Sequence, residues 1–321
     1  MTDKVVVGIT GAGGYIGSSL CKMFLQDSRY VVKALIHENK PHEMYDKVDY
    51  FYGDVCNEDE MMNFTKGVNV LIHTAAKLGK GRWEQFYKTN VLGTEIIAQC
   101  CLYNRVSKFV FFSSIEVYGD FNGRVLRESD FIELCGSHYV DSKILGEQRI
   151  INKFKNSSVI YYIVRPGMVY GPGSEFWTKR LYVMAKEKKF ELIGTGNGNV
   201  FPLFIENLQL AIQNITVDCK HGNQIYNLVD EIELTWYEWG EIFGQICDEV
   251  DPFCSINLIV LLINGIKNHH FYKYGKSRKI SVYTRKAKIS TEKAKKYLKF
   301  EQLVPFDMGM KACENWLKSS V

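Results

Sequence analysis

The stretch TGAGGYIG, residues 10–17, lies near the start of the chain between two segments of different periodicity. A short β-branched run, VVVGIT at residues 5–10, leads into it and is typical of a buried strand. Residues 16–26 follow with apolar side chains at helical spacing. The sequence therefore predicts a strand, a tight glycine turn and a helix in direct succession.

The three glycines of this turn have separate roles. Gly11 permits a tight turn, Gly14 lets backbone amides approach a pyrophosphate, and Gly17 lets the helix pack closely on the strand. Phosphates then lie at a helix N-terminus, where free N–H groups and the dipole favour negative charge. We predict that the turn binds a dinucleotide, with Tyr15 and Ile16 among its contacts.

Strand and helix signals continue to alternate through the first half of the chain. Strands are expected at 31–36, 68–73, 108–113 and 159–164, with helices around 83–103 and 139–154. Strands that are apolar on both faces and separated by helices imply a parallel sheet with right-handed crossovers. We predict an α/β fold, a doubly wound parallel sheet of the Rossmann type.

The alternation loosens beyond residue 171, where GPG and GTGNGN concentrate glycine and proline. We predict a dinucleotide-binding domain at 1–170 and a smaller substrate-binding lobe at 171–321. Only QIYNLV, at 224–229, has the pattern of a strand of the same sheet, and we expect it to return there.

Composition excludes several classes of protein. With 321 residues, 46% hydrophobic and 24% charged, the chain matches a globular protein with room for two lobes. Nine cysteines without a CxxC pair and a start without an apolar run favour a reducing, cytoplasmic setting, and no metal site is predicted. The longest apolar run, at 256–266, is too short to span a bilayer.

Positive charge is concentrated late in the chain. Residues 267–299 hold twelve Lys or Arg against one acid, Glu292. A solvated face explains this pattern, and attraction to an anionic ligand or peripheral contact with a membrane surface is the alternative. We do not expect nucleic acid as a partner, because no recognised binding motif accompanies the charge.

The stretch YVDSK places Tyr139 four residues before Lys143, a spacing that also occurs at Tyr182/Lys186 and Tyr272/Lys276. Residues four apart share a helix face, so spacing alone is compatible with an ordinary amphipathic helix. Context favours chemistry at the first pair only.

That context resembles the extended short-chain dehydrogenase/reductases. The signatures, in order, are TGAGGYIG, YGDV at 52–55, HTAA at 73–76, TNVLGT at 89–94, SSIEVYG at 113–119, YVDSK and RPGMVYGPG at 165–173. They cover nearly the whole chain. The resemblance implies a Rossmann lobe, a small substrate lobe and a homodimer formed by the helices expected at 83–103 and 139–154.

The resemblance also implies the site residues. Ser114, Tyr139 and Lys143 match the catalytic triad, and Lys143 also reaches the nicotinamide ribose. Asp54 matches a contact to adenine, Asn90 matches an asparagine behind the site, and Val55, Ala75 and Pro166 join the cofactor-binding set. A nearby cation would lower the pKa of the Tyr139 phenol from about 10, allowing proton transfer near neutral pH.

The end of the second predicted strand bears on the choice of cofactor. An acid there suits the unphosphorylated ribose of NAD, whereas this chain has Ile36 and His37, with Glu38 and Lys40 beyond. Imidazole and ammonium suit a 2′-phosphate, so we expect NADP, with NAD as the alternative if Glu38 turns inward.

Two positions separate the reaction classes of this family. Nucleotide-sugar members hold a diphosphate with an asparagine and an arginine, where this chain has Met168 and Val200. We therefore predict an NAD(P)-dependent oxidoreductase of a hydroxyl or keto group on a lipophilic small molecule, similar to 3β-hydroxysteroid dehydrogenases. A nucleotide-sugar epimerase or dehydratase is the alternative, and a cofactor-binding scaffold without catalysis is a third interpretation.

Overall fold

A parallel sheet of seven strands organises the protein. The computed structural model describes residues 4–38, 41, 43–119, 123–192, 195–217, 221–255 and 284–320. The strands are β1 Val5–Thr10, β2 Tyr30–Ile36, β3 Val48–Tyr52, β4 Val70–His73, β5 Lys108–Phe112, β6 Ile160–Pro166 and β7 Gln224–Leu228. Their spatial order is β7-β6-β5-β4-β1-β2-β3, and every neighbouring pair is parallel. The predicted doubly wound fold is confirmed.

Helices cover both faces of this sheet. They are α1 Tyr15–Leu25, α2 Glu58–Thr65, α3 Trp83–Phe86, α4 Thr94–Tyr103, α5 His138–Phe154, α6 Arg180–Lys186, α7 Ile205–Val217, α8 Trp236–Ile246, α9 Glu292–Leu298 and α10 Phe306–Ser320. A π-helical turn, Tyr87–Gly93, joins α3 to α4, so the single helix expected at 83–103 is divided in the structure. Turns of 3-10 and π type also occur at Ile115–Tyr118 and Glu175–Lys179.

Two hydrophobic cores form on opposite faces of the sheet. One packs side chains of α1 and α7, including Leu20, Phe24 and Ile212, against β1 and β2. The other packs α2, α4 and α5 through residues such as Phe64 and Phe154. All residues of β4 and β5 are buried, as expected for strands covered on both faces.

The order of the strands determines where a ligand binds. The chain passes from β1 to β2 and β3 on one side, and then returns to β4 on the other side of β1. In open α/β sheets, ligands occupy the crevice at the carboxyl ends of the strands where the order reverses. The glycine turn after β1 and the loop after β4 both lie at this point.

Sequence patterns did not predict β3. Val48–Tyr52 pairs only with β2 and forms one edge of the sheet. Asp49 and Tyr52 are exposed, so the strand lacks the continuous apolar run of its buried neighbours.

The second half of the chain adds short strand pairs around the carboxyl ends of the sheet. β7 pairs with β6 in parallel, at the edge of the sheet opposite β3. The remaining strands are Arg124–Leu126, Met168–Tyr170, Phe190–Leu192, Asn199–Val200, Pro202–Phe204, Leu234–Thr235, Phe253–Ser255 and Ala287–Ile289. Division of the chain at residue 170 into two lobes stays a prediction.

Several sequence-based expectations concern residues outside the described part of the chain, among them Lys40, Tyr272 and the apolar run at 256–266. Within the described part, no helix has the length and apolarity needed to cross a membrane. The described end of the basic segment forms ion pairs, Lys288 with Glu233 and Lys295 with Glu231. These pairs agree with a solvated, neutralised face over that stretch.

Candidate active site

Close contacts between backbone atoms shape the glycine turn. Gly11 has φ +69°, and a Cβ there would lie 2.7 Å from the backbone nitrogen of Ala75. A Cβ on Gly17 would lie 2.3 Å from the carbonyl oxygen of Gly11. Both positions therefore exclude larger residues, and the turn keeps its backbone open toward the carboxyl ends of β1 and β4.

The helix that begins in this turn has the features of a phosphate-binding N-terminus. Gly14 is the N-cap of α1, no side chain caps the helix, and its first turn contains no acidic residue. Backbone N–H groups and the positive end of the helix dipole are therefore left for an anion. Tyr15 and Ile16 follow in the first turn, both half-buried. The residues fit the pyrophosphate of a dinucleotide.

A buried chain of hydrogen bonds connects this turn with the π-helical turn. The Thr10 hydroxyl lies 2.8 Å from His73 Nδ1, and His73 Nε2 lies 3.0 Å from Thr94 Oγ1. Thr94 in turn donates to the Asn90 carbonyl at 2.8 Å, and Ala75 N donates to Thr10 Oγ1 at 3.3 Å. Burial lowers the pKa of His73 to about 3, so the ring is neutral and its role is structural.

The predicted adenosine contacts lie at the ends of β2 and β3. Asp54 follows β3 and is half-buried, and its carboxylate accepts a hydrogen bond from Cys56 N at 2.9 Å. Val55 beside it is 5% exposed and packs on Gly93. His37 and Glu38 follow β2, and both are exposed. His37, which is expected to favour NADP, and Glu38, which is expected to favour NAD, therefore lie next to each other after β2.

Tyr139 and Ser114 meet at the carboxyl end of β5. Ser114 caps the short 3-10 turn after this strand, and its Oγ accepts a hydrogen bond from Glu116 N at 3.2 Å. Tyr139 lies in the first turn of α5, where Ser114 hydrogen-bonds its phenol. The two hydroxyls that the family resemblance assigns to the catalytic triad are therefore adjacent.

The pKa of Tyr139 differs from the expectation. Burial raises it to about 12, the hydrogen bond with Ser114 lowers it in part, and the Glu116 carboxylate raises it further. We had expected the cation of Lys143 to lower this pKa. In this arrangement the phenol retains its proton at neutral pH.

Lys143 lies one helical turn beyond Tyr139 and is 3% exposed. Its Nζ donates to the Phe112 carbonyl at 2.7 Å and lies 6.0 Å from the centroid of the Tyr139 ring. Burial lowers the pKa of Lys143 to about 7, and the Glu147 carboxylate raises it in part. Only part of the Lys143 population is therefore charged at neutral pH.

A buried ion pair that sequence reasoning missed lies behind Lys143. Glu147 accepts hydrogen bonds from Arg165 Nε at 2.9 Å, Arg165 Nη2 at 2.6 Å and Ser113 Oγ at 2.5 Å. The side chains of Glu147 and Arg165 are each 2% exposed. Glu147 follows Lys143 at helical spacing, and that spacing is the signal by which the sequence would have revealed it.

Hydrogen bonds from Asn90 position the first turn of α5, the helix that carries Tyr139. Its side-chain oxygen accepts from Lys77 N at 2.6 Å, and its amide donates to Lys77 O at 3.1 Å and to Ser142 Oγ at 2.9 Å. Ser142 then donates to the Tyr139 carbonyl at 2.7 Å. Asn90 therefore ties the loop after β4 to the first turn of α5.

Buried apolar residues follow β6. Pro166 ends that strand and is buried, and Met168 N donates to the Phe201 carbonyl at 2.7 Å. Met168 is 4% and Val200 1% exposed. Neither side chain carries a donor for a diphosphate.

Tyr182 of the second Tyr/Lys pair, and the aromatic residues Trp177 and His138, lie in ordinary packing. Tyr182 is buried in the core with Lys186 Nζ 5.7 Å from its ring centroid. Trp177 stacks on Trp239 at 6.3 Å between ring centroids, within the aromatic core. His138 faces the Trp83 ring at 6.0 Å and lies on the exposed side of α5.

The strand order, the uncapped glycine turn and the Ser114–Tyr139–Lys143 grouping define an extended short-chain dehydrogenase/reductase. A family model described as "3-beta hydroxysteroid dehydrogenase/isomerase family" matches residues 8–222. The chain belongs to this family.

Individual relatives have low sequence identity to this chain. The chain is 26% identical to 2-alkyl-3-oxoalkanoate reductase of Stenotrophomonas maltophilia, over 63% of this chain and 62% of that protein. It is 24% identical to the decarboxylating sterol-4-alpha-carboxylate 3-dehydrogenase of Mus musculus, over 70% of this chain and 63% of that protein. In both, the match spans less than two thirds of the relative.

Solved structures support the fold. The UDP-glucuronic acid 4-epimerase of Bacillus cereus in complex with NAD superposes with a TM-score of 0.80 at 19% identity, over 98% of this chain and 99% of that one. At this identity the similarity concerns the fold alone.

Proposed function

We propose that the protein is an NAD(P)-dependent oxidoreductase acting on a hydroxyl or keto group of a lipophilic small molecule. The observation that carries the proposal is the hydrogen-bonded Ser114–Tyr139 pair, with Lys143 one helical turn away at the carboxyl end of the sheet. Membership of a family named for a hydroxysteroid dehydrogenase supports it.

Each of the three residues has a distinct role in this proposal. Tyr139, protonated at neutral pH, donates its proton to a carbonyl oxygen as the bond to that oxygen becomes single, and takes it back in the reverse direction. Ser114 holds the same oxygen by a hydrogen bond where negative charge develops. Lys143, where charged, stabilises the phenolate left after the transfer. A bound nicotinamide would supply or accept the hydride.

The proposed substrate is lipophilic because the chain has Met168 and Val200 where nucleotide-sugar members of the family hold a diphosphate, and neither side chain offers a donor to one. The first two relatives are named for an oxoalkanoate and a sterol carboxylate, both lipophilic molecules. In both names the carboxylate is attached to the carbon next to the oxygen-bearing one. Medium-chain 3-hydroxy acids and their esters are therefore suitable trial substrates, beside 3β-hydroxysteroids.

We further propose NADP as the preferred cofactor, with NAD as the alternative, and a homodimer that uses α4 and α5. The seven cysteines whose side chains are described are all free thiols, which agrees with a reducing, cytoplasmic setting.

Turnover measurements test the proposed function. Wild-type protein should oxidise a 3-hydroxy acid, its ester or a 3β-hydroxysteroid with NADP⁺ or NAD⁺, followed by nicotinamide absorbance, and should show no thermal shift with UDP-glucose. A ligand present at 100 times its dissociation constant stabilises a fold by about 2.7 kcal/mol, which a thermal melt resolves. A clear shift with UDP-glucose, without oxidation of lipophilic alcohols, would favour the nucleotide-sugar epimerase instead.

A further inference from the structure

A basic loop lies between β4 and α3. It reads KLGKGR, residues 77–82, and carries Lys77, Lys80 and Arg82 but no acid. Lys80 and Arg82 are exposed, and Lys77 is half-buried. Within the described part of the chain, none of these three side chains forms an ion pair. The basic loop therefore presents three positive charges that no described carboxylate neutralises.

Hydrogen bonds hold the start of the basic loop against α5, the helix of Tyr139. Lys77 N donates to Asn90 Oδ1 at 2.6 Å, and the Lys77 carbonyl accepts from Asn90 Nδ2 at 3.1 Å. The same Asn90 amide donates to Ser142 Oγ at 2.9 Å, and Ser142 donates to the Tyr139 carbonyl at 2.7 Å. Both backbone groups of Lys77 are thus fixed relative to the proposed proton donor.

The Lys77 side chain folds back along the loop toward the start of α5. A Cβ on Gly81 would lie 3.2 Å from Lys77 Cε, so the hydrocarbon stem packs against the Gly81 backbone. The Gly81 carbonyl in turn lies 3.3 Å from Nδ1 of His138, the residue before Tyr139. The Lys77 ammonium is therefore held on the side of the loop that faces the first turn of α5.

The basic loop is open to solvent. Leu78 is 61% exposed, and Gly79 has φ +74° with no atom within 4 Å of the position that a Cβ would take. His138, on the other side of the Gly81 carbonyl, is exposed as well. A ligand can approach Lys77 from solvent, and no described ion pair has to break first.

Two carboxylates near Tyr139 have internal partners. Asp141 accepts from Cys135 N at 2.8 Å and from Gly136 N at 2.9 Å. Glu116, which raises the pKa of Tyr139, forms an ion pair with Arg285. These acids are engaged, whereas the bases of the loop are not, so an anion that arrives beside Tyr139 meets uncompensated positive charge.

We infer that Lys77, aided by the long-range attraction of Lys80 and Arg82, binds a carboxylate of the substrate beside Tyr139. One half-buried ammonium balances the single charge of a carboxylate, while the two exposed bases contribute less because water screens them. The inference rests on the proposed function and narrows its substrate class to lipophilic hydroxy or keto acids.

The test compares an acid with its uncharged ester. Oxidation of 3-hydroxyoctanoate and of methyl 3-hydroxyoctanoate is followed with NADP⁺ or NAD⁺, and the ratio of the two kcat/KM values is the readout. Wild type should prefer the acid, and added salt should weaken this preference because it screens the charges. Lys77→Met keeps a stem that packs on Gly81 but removes the charge. It should lower the acid-to-ester ratio about 10-fold, the effect of losing one charge-assisted hydrogen bond.

Three further variants calibrate this effect. Lys77→Arg keeps the charge and should keep most of the wild-type ratio, which separates loss of charge from loss of folding. Lys80→Met removes an exposed charge and should lower the ratio only about 2- to 5-fold. The control is Lys155→Met, which removes an exposed lysine at the far end of α5 and should leave the ratio at the wild-type value.

Other results would overturn the inference while leaving the oxidoreductase intact. One is a wild-type ratio in Lys77→Met. Another is an equal loss of kcat/KM for acid and ester, which would mean that Lys77 only positions α5. A loss of cofactor affinity at an unchanged ratio, measured by fluorescence titration, would assign the ammonium to a cofactor phosphate instead.

Thermal melts decide the inference if neither compound is oxidised, in which case the proposed function fails for these substrates. Stabilisation of the cofactor-bound wild type by 3-hydroxyoctanoate, lost in Lys77→Met and kept in Lys155→Met, would support a carboxylate site at Lys77. Absence of stabilisation in wild type, or equal stabilisation of all three proteins, would overturn it. Stabilisation by UDP but not by the acid, lost in Lys77→Met, would assign the basic loop to a diphosphate and would also overturn it.

Discussion

At the scale of single residues, the proposed chemistry depends on the protonation of the Tyr139 phenol and of the Lys143 amine. Tyr139 keeps its proton well above neutral pH because burial outweighs the hydrogen bond from Ser114. Lys143 loses its proton near pH 7 because burial removes its ammonium from water, an effect that the Glu147 carboxylate offsets only in part. The phenol therefore carries its proton at neutral pH, and the charge that would support the phenolate varies within the physiological range.

Replacing Tyr139 by phenylalanine tests the proton donor. Tyr139→Phe should reduce kcat at least 100-fold while cofactor affinity changes little, because the ring stays and only the transferable proton is lost. Steady-state turnover and nicotinamide fluorescence titration measure the two effects. The control is Tyr182→Phe, which alters the buried tyrosine of the other described Tyr/Lys pair. Near wild-type turnover of Tyr139→Phe would exclude the assigned role.

Glu147 should set the pH range of activity. Its carboxylate raises the pKa of Lys143, which burial has lowered to about 7, while neighbouring His73 stays neutral. Glu147→Gln keeps an acceptor for Arg165 and Ser113 but removes the negative charge. If the charged form of Lys143 is the active one, kcat/KM falls above about pH 7 in wild type and above a lower pH in the variant.

A pH profile from 5.5 to 9 measures this shift. The control is Glu95→Gln, which removes a partly exposed carboxylate that pairs with Arg149 at 3.4 Å between α4 and α5. Coincident profiles of wild type and Glu147→Gln would show that Glu147 does not act through Lys143.

His37 is expected to determine the cofactor preference. It is exposed at the end of β2, where the 2′ position of the adenosine ribose would lie. Wild type should bind NADP⁺ more tightly than NAD⁺, and His37→Asp should flatten or reverse that preference by repelling the 2′-phosphate. Fluorescence titration with each cofactor measures both affinities. A preference that His37→Asp leaves unchanged would point to Glu38 or to another residue.

Sequence motifs located these residues but not their protonation. The resemblance to the extended short-chain dehydrogenase/reductases implied the grouping of Ser114, Tyr139 and Lys143, and the structure places these residues near one another. Their catalytic roles stay predictions. The pKa values of Lys143 and Tyr139 are shifted chiefly by burial, and burial depends on the packing of elements that are distant along the chain. Arg285 Nη2 forms an ion pair with Glu116 Oε1 at 2.7 Å, and these two residues are so far apart in sequence that only the tertiary structure shows the pair.

At the scale of secondary-structure elements, the π-helical turn between α3 and α4 has a positioning role. The wider turn directs the Asn90 side chain toward Lys77 and Ser142 and frees the Asn90 carbonyl for Thr94. Single π-helical turns are often found at functional sites. The sequence predicted one continuous helix here, because a single π-helical turn changes the spacing of the apolar residues too little to be recognised.

Removing this side chain should loosen the start of α5. Asn90→Ala removes the acceptor of the Lys77 N–H and the donors to the Lys77 carbonyl and the Ser142 hydroxyl oxygen, so we expect a loss of about 1–3 kcal/mol in the free energy of unfolding. Turnover should fall more than cofactor affinity, because Tyr139 is displaced while the glycine turn is not. Denaturant unfolding and steady-state kinetics check these effects.

Asn104→Ala provides the matched control. Asn104 bonds to Met62 O at 2.9 Å and to Thr65 Oγ1 at 2.8 Å, at the far end of α4. It should lose comparable stability without the specific loss of turnover. Equal kinetic effects in the two variants would mean that Asn90 only stabilises the fold.

The edge strand β3 shows a second limit of sequence patterns. Buried strands such as β4 and β5 are continuous apolar runs and were predicted within two residues of their bounds. β3 has one buried residue, Val48, followed by exposed and half-buried ones, and among the described strands it pairs with β2 alone, so its five residues have a weaker pattern.

At the scale of the whole molecule, the two halves of the chain share one sheet. β7 comes from the later half and covers β6, the last strand of the earlier half. Helix α7 packs on the same face as α1, and Lys108 Nζ of β5 donates to the final carbonyls of α7 at 2.6 and 3.2 Å. The proposed boundary at residue 170 therefore separates sequence regions that depend on each other for stability.

A fragment of residues 1–170 should consequently be unstable. It would leave the edge of β6 unpaired and the apolar face under α7 exposed. We expect aggregation and no measurable NADP⁺ binding, by light scattering and fluorescence titration, with the full chain as the control. A monomeric fragment that binds the cofactor like the full chain would contradict this account and establish an independent domain.

The late position of β7 also bears on how the protein is made. A ribosome adds about 5–20 residues per second, so β6 is synthesised seconds before β7, its outer neighbour in the sheet. During that interval the nascent chain presents an open strand edge beside five parallel strands that have already emerged. Such an edge is a template for pairing with other chains. The yield of this protein in a cell should therefore depend on chaperones that shield the edge until residue 228 has been synthesised.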